Sequence, residues 1–181
     1  MRIFILFALL TISFSSISQE KLPELDKSPL DISYFPAGYP LLKIQGKTKD
    51  PLVARIVYSR PQKNERKIFG ELIEYGKVWR LGANESTEIK LYKDVTFGDK
   101  LIKAGTYTMY AIPDKTEWTI IFNSKLDTWG AYSYEESKDV ARIKVPAGAS
   151  KSEVEAFAIW FDDKSMNIAW ENTLVKVPAK S

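Results

Sequence analysis

The chain has 181 residues, of which 45% are hydrophobic and 27% charged, the balance of a folded globular chain and not of a disordered or membrane-embedded one. Its formal net charge of +3 arises from 26 basic and 23 acidic residues, and lysines such as Lys90, Lys93, Lys103, Lys125 and Lys144 fall singly, which excludes a phosphate-binding stripe and so nucleic acid as a partner. Histidine and cysteine are both absent, which removes the usual serine- and cysteine-nucleophile chemistry, zinc, copper and non-haem iron sites, and disulfides.

Residues 1–18 read as a secretory signal: Met1-Arg2 starts it, an apolar run follows from Ile3 to Leu10, and Ser16-Ile17-Ser18 before Gln19 fits a small-x-small cleavage site. The apolar run is shorter than the roughly 20 residues that span a bilayer. The expectation is a periplasmic or secreted protein, cleaved after Ser18, with no membrane span once the signal is removed. Residues 19–46 carry Pro23, Pro29, Pro36 and Pro40, which forbid a long helix or a central strand and leave an extended N-terminal segment with at most a short edge strand. Its apolar residues, among them Leu30, Ile32, Tyr34 and Phe35, are too many for a linker, so part of it packs on the single domain of residues 47–181.

Within that domain the two-residue period of strands recurs. Residues 53–58 alternate before Pro61; residues 88–92 alternate; Gly98-Asp99-Lys100 marks a turn; residues 105–112 are rich in β-formers before Pro113-Asp114. Residues 118–122, 140–145, 156–161, 166–170 and 174–177 complete the set. Three places are candidates for a short helix: 67–75, 127–134 and the turn at 150–154. The spacing predicts an all-β fold, an antiparallel β-sandwich of jelly-roll or immunoglobulin-like type, with one or two short helices in loops.

Gly-rich phosphate cradles are missing, so what remains for an enzyme is carboxylate chemistry on a glycosidic bond, with Glu85, Asp127, Glu135, Glu136 or Asp139 as candidate acids. The run Asp162-Asp163-Lys164-Ser165-Met166-Asn167 lacks the glycine and terminal glutamate of a calcium loop and reads as a hairpin turn, so no metal and no cofactor is assigned.

Two segments stand out. The first surrounds Trp79, Arg80, Asn84 and Glu85, with Arg60 upstream: a flat apolar face, guanidinium forks, an amide and a carboxylate, the mixture that binds a sugar-like or planar polar ligand. The structural alternative has Trp79 plugging the core while Arg80 and Glu85 pair to pin a loop. The second segment clusters Asp127, Trp129, Tyr132 and Tyr134 after a strand, where aromatics stack on sugars or cap a partner protein; core capping by Trp129 is the competing account.

These segments also carry a resemblance. Tyr58-Ser59-Arg60-Pro61, Ile68-Phe69-Gly70, Tyr75-Gly76-Lys77-Val78-Trp79-Arg80, Gly82-Ala83-Asn84-Glu85, Ala104-Gly105-Thr106-Tyr107 and Trp129-Gly130-Ala131-Tyr132 together resemble the family catalogued as domain of unknown function 2911, over residues 28–178. Leu81 departs from the threonine usual there, and Ile73-Glu74 from valine-proline. The resemblance implies an exported bacterial β-protein and carries over no activity, catalytic residue or cofactor.

The expectation that follows is an exported, non-catalytic binding or interaction module of the cell envelope, its ligand a glycan or a partner protein, held by Arg60, Trp79, Arg80, Asn84, Glu85, Asp127, Trp129 and Tyr132. A glycoside hydrolase built on carboxylates and a purely structural envelope component are the alternatives. Oligomeric state is not legible in the sequence.

Overall fold

In the computed structural model, which describes residues 21–181, side chains that alternate along the sequence alternate between core and solvent, as a two-residue period requires. The signal read at residues 1–18 lies outside the described residues. The strands are β1 (Leu30–Phe35), β2 (Ala54–Ser59), β3 (Thr87–Leu91), β4 (Val95–Phe97), β5 (Lys100–Ile102), β6 (Gly105–Ile112), β7 (Glu117–Asn123), β8 (Asp139–Phe161) and β9 (Ser165–Lys180). Among the described residues one short helix, α1 (Tyr39–Ile44), and a single 3-10 turn at Glu136–Lys138 accompany them. In β3, Thr87, Ile89 and Leu91 point inward while Lys90 faces solvent, and β2 likewise buries Ala54, Ile56 and Tyr58.

Every strand pairing is antiparallel, and the order is β1-β2-β3-β6-β7-β8-β9-β4-β5 in one continuous sheet. The all-β antiparallel class is therefore as the spacing of strands predicts, but one sheet provides it. The sheet bends on itself along β8, which pairs with β7 up to Pro146 and with β9 from Ala147 onward, with register shifts between Ala149 and Val154 and again before Ala158. Such irregularities bend a strand and increase its twist. The far half of β8 comes back against the first strands: the Ser33 hydroxyl donates to the Ile159 carbonyl at 2.6 Å, the Phe157 amide donates to the Pro61 carbonyl at 3.0 Å, and the Phe35 and Phe161 rings stack at 5.0 Å.

The core holds an aromatic cluster of Phe69, Trp79, Trp118, Phe157 and Trp170, with ring centroids 5.0 to 6.1 Å apart and mostly edge-to-face. Edge-to-face geometry sets the positive rim of one ring on the negative face of the next.

Four expectations change. The helix expected at 67–75 does not form: Ile68, Phe69 and Ile73 are all drawn into the core, Gly70 sits at φ +91°, and the Gly70 amide closes a tight turn onto the Ile73 carbonyl at 2.8 Å. The helix expected at 127–134 is broken by positive φ at Asp127 (+55°) and Gly130 (+63°), which a right-handed helix does not allow. The helical turn expected at 150–154 lies inside β8, so residues 140–145 and 156–161 belong to one strand. The β4–β5 hairpin around Gly98 was not foreseen as strands, because three-residue strands show no period and β4 is held by the distant β9, Thr96 opposite Lys180. The N-terminal segment supplies the expected edge strand, β1, and also α1, whose Pro40 occupies the first turn, where no amide donor is needed.

Candidate functional site

The site begins with a loop that the sequence bends sharply and the fold ties down. Trp79 exchanges both backbone hydrogen bonds with Ala111 of β6, at 2.7 and 2.8 Å. The chain then turns through residues 80–86 with Leu81 at φ +56°, Gly82 at +147° and Asn84 at +57°. Side chains hold this shape. The Ser59 hydroxyl, at the end of β2, donates to the Ala83 carbonyl and accepts the Ala83 amide at 2.8 Å; Thr87 Oγ1 donates to the Leu81 carbonyl at 2.5 Å; Trp79 Nε1 donates to the Gly82 carbonyl at 3.1 Å. Gly82 approaches β2 so closely that a Cβ there would meet the Ser59 carbonyl oxygen at 3.0 Å.

The end of this loop pairs with the second segment. Glu85 and Trp129 face each other in an antiparallel pair flanked by the Gly130 amide donating to the Asn84 carbonyl at 2.9 Å and the Ser86 amide donating to the Thr128 carbonyl at 3.0 Å. Facing residues enclosed by such bonds, without bonding each other, bring their side chains closest together on one face. The Glu85 carboxylate and the Trp129 indole therefore stand side by side. Beneath them, Ser86 Oγ donates to the Gly130 carbonyl at 2.6 Å, Thr128 Oγ1 to Ser86 Oγ at 2.9 Å, and the Tyr110 hydroxyl lies 2.9 Å from Thr128 Oγ1. The platform is anchored, yet Trp129 remains 59% exposed.

A cleft of about 420 Å³ opens beside this platform. Glu85, Asp127 and Trp129 line it together with Ser59, Ser86 and Thr128. Val57, Glu88 and Thr108 also line it, and they are cross-strand neighbours on β2, β3 and β6, so the outer face of the sheet contributes one wall. Among the described residues, three carboxylates and no lysine or arginine line the cleft, which gives it a negative potential.

The residues singled out by sequence thus divide. Glu85, Asp127 and Trp129 come together, and Trp129 does not cap the core. Trp79 is the core plug of the structural alternative, only 6% exposed, with one side on a different cleft that it shares with Arg80. The Arg80–Glu85 pair of that alternative does not form, since the two residues line different clefts. Arg60 is occupied in the scaffold: its Nη1 meets Asp31 at 3.0 Å and its Nε donates to the Phe157 carbonyl at 3.0 Å, strapping β1 and β2 to β8. Asn84 contributes through its carbonyl. Tyr132 is 91% exposed, lines neither cleft, and lays its ring over Gly130.

Of the other candidate acids, Glu135 pairs with Lys125 at 2.6 Å, a hydrogen bond that holds its carboxyl below the usual range, and Glu136 pairs with Arg142. Asp139 accepts from Asn123 Nδ2 at 2.8 Å and from the Tyr134 hydroxyl at 2.6 Å. None of the three lines the acidic cleft. Asp162 accepts the amides of Lys164 and Ser165 and the Asn167 side chain, the bonding of a hairpin turn between β8 and β9; its carboxyl is lowered first by the Asn167 bond. Among the described residues no group of acids is arranged to hold a metal ion.

Sequence reasoning missed Ser59, Glu88, Thr108 and Thr128 as lining residues. Glu88 was visible only as a polar position in an alternating strand, and its place beside Val57 and Thr108 needs the register of three strands.

The fold and site define an all-β protein with an acidic, tryptophan-rimmed cleft on the outer face of its sheet. The chain belongs to the family described as protein of unknown function DUF2911, whose model matches residues 41–179. It matches no curated protein and no solved structure.

Proposed function

We propose that the chain is an exported, non-catalytic glycan-binding module of the bacterial cell envelope, with the cleft of Glu85, Asp127 and Trp129 as its combining site. The observation that carries this reading is a tryptophan left 59% exposed on a hydrogen-bonded platform directly beside a carboxylate. An indole face takes the C–H face of a sugar ring, while ionised carboxylates only accept hydrogen bonds and so suit its hydroxyl donors. Because the platform is already tied, little ordering entropy is lost on binding. Three acids with no cation lining the cleft among the described residues repel acidic sugars, so the ligand class is neutral or amino sugar. Export rests on the signal read at residues 1–18, and amino-terminal sequencing of periplasmic protein should begin at Gln19.

Titration of residues 19–181 with neutral, amino and acidic oligosaccharides, followed by calorimetry and tryptophan fluorescence, tests the site. Trp129→Ala should weaken binding about tenfold or more, equivalent to about 1.4 kcal/mol, and leave thermal stability within about 0.5 kcal/mol. The reading fails if no oligosaccharide binds, or if Trp129→Ala binds as well as the parent chain.

One observation favours a second reading: Glu85 and Asp127 line the same cleft, as the paired acids of a glycoside hydrolase do. Turnover of an oligosaccharide that is abolished by both Glu85→Gln and Asp127→Asn would select the hydrolase over the binding module.

A further inference from the structure

The first half of the same loop lines a second cleft, of about 370 Å³, and its chemistry is the reverse of the first. Among the described residues, Arg66, Lys77 and Arg80 line it against a single acid, Glu74, and Leu72 and Trp79 give it an apolar wall. We propose that this cleft is an oxyanion site, which receives the carboxylate or phosphate of a small amphiphilic molecule with Arg80 as the anchoring cation.

The argument starts from an unpaired charge. Arg60 and Arg142 each hold a carboxylate, and Arg66 donates to the carbonyls of Lys63 and Gln62. Arg55 and Arg80 differ: each has a buried Nε without a hydrogen-bond partner and pairs with no carboxylate among the described residues, and of the two only Arg80 lines the cleft. Burial pulls the Arg80 guanidinium below its ordinary value, and the charge of an ionised Tyr132 side chain works the other way. An arginine stays charged under such a pull, so the loop carries a partly desolvated cation without a counter-charge.

A burden of that kind is relieved by an oxyanion, since the guanidinium fork matches the two oxygens of a carboxylate or phosphate. Lys77 and Arg66 add attraction at longer range. Arg66 is held to the backbone and contributes field more than a new bond. The apolar side of the cleft, Leu72 and Trp79, is of no use to a bare ion, and it is this wall that specifies an amphiphilic body behind the charged head. The site is independent of the glycan reading: it uses other side chains, the opposite sign of charge and a different cleft.

The test titrates residues 19–181 with sodium octanoate, inorganic phosphate and neutral 1-octanol, reading tryptophan fluorescence and heat. At least one anion should bind saturably, octanol should not, and Arg80→Met should weaken that binding about tenfold or more while Arg80→Lys retains part of it. Octanoate bound in preference to phosphate identifies a carboxylate ligand; the reverse preference identifies a phosphorylated one. The thermal midpoint of Arg80→Met should be no lower than that of the parent, because the substitution removes an unpaired charge. Absence of binding by both anions, equal binding by Arg80→Met, octanol binding as well as octanoate, or a clear loss of stability in Arg80→Met would each overturn the proposal, the last by placing Arg80 in the scaffold.

Discussion

Ser59→Ala is the most informative single change, because this one hydroxyl makes two of the side-chain hydrogen bonds that hold the loop between the two clefts. Ser59 is 1% exposed, so its hydroxyl is committed to the loop and not to solvent. Its oxygen donates to the Ala83 carbonyl and accepts the Ala83 amide, and removal leaves both backbone groups without their partner. At a net ~0.5–1.5 kcal/mol per hydrogen bond, the two together are worth about 1–3 kcal/mol. For a domain of this size that corresponds to a thermal midpoint lower by roughly 2–12 °C. Urea unfolding and calorimetry of residues 19–181 measure it directly. Thr87→Val, which removes the bond to the Leu81 carbonyl, is the companion change; since both side chains hold one loop, the double variant should be non-additive. A Ser59→Ala chain within about 0.5 kcal/mol of the parent, the range of ordinary surface changes, would refute the view that this hydroxyl organises the site.

Gly82→Ala should cost more than about 1 kcal/mol, since a positive φ and a Cβ 3.0 Å from the Ser59 carbonyl oxygen strain the same loop; an unchanged unfolding midpoint would contradict that close approach. Tyr134 supplies a pH prediction: burial first, and then its hydrogen bond to Asp139, raise its phenol above the ordinary value. The folded state therefore keeps the proton that the unfolded chain releases near pH ~10, so the contribution is complete below that pH and is lost as pH rises above it. Thermal midpoints measured from pH 8 to 12 should fall more steeply for the parent than for Tyr134→Phe, and parallel profiles would show that Tyr134 is not responsible.

Much of the sheet was legible along the chain. Residues 105–112 form β6 as read, since Pro113 ends a run of β-formers and the whole signal is local. Strand lengths were less legible. β8 runs through residues 150–154, where Ser150, Lys151 and Ser152 look like a turn, because its pairing with β9 tolerates register shifts that no local pattern announces. The failed helix at 67–75 has the same origin: tertiary burial of Ile68, Phe69 and Ile73 outweighed a local preference.

For the site, the residue types were readable and their fates were not. Trp79 and Trp129 each sit in a motif that contains glycine, yet one is enclosed by Phe69, Trp118, Phe157 and Trp170 and the other stands exposed beside Glu85. The sequence by itself determined the β-class of the chain, the chemistry it lacks through its missing histidines and cysteines, and the two segments worth attention. Tertiary structure alone decided that Glu85 joins Trp129 and Asp127 while Arg80 turns to another cleft. Strand formation follows a period within a few residues, whereas a cleft is made where distant segments meet, and which side chains face it depends on register and loop conformation that local pattern does not encode.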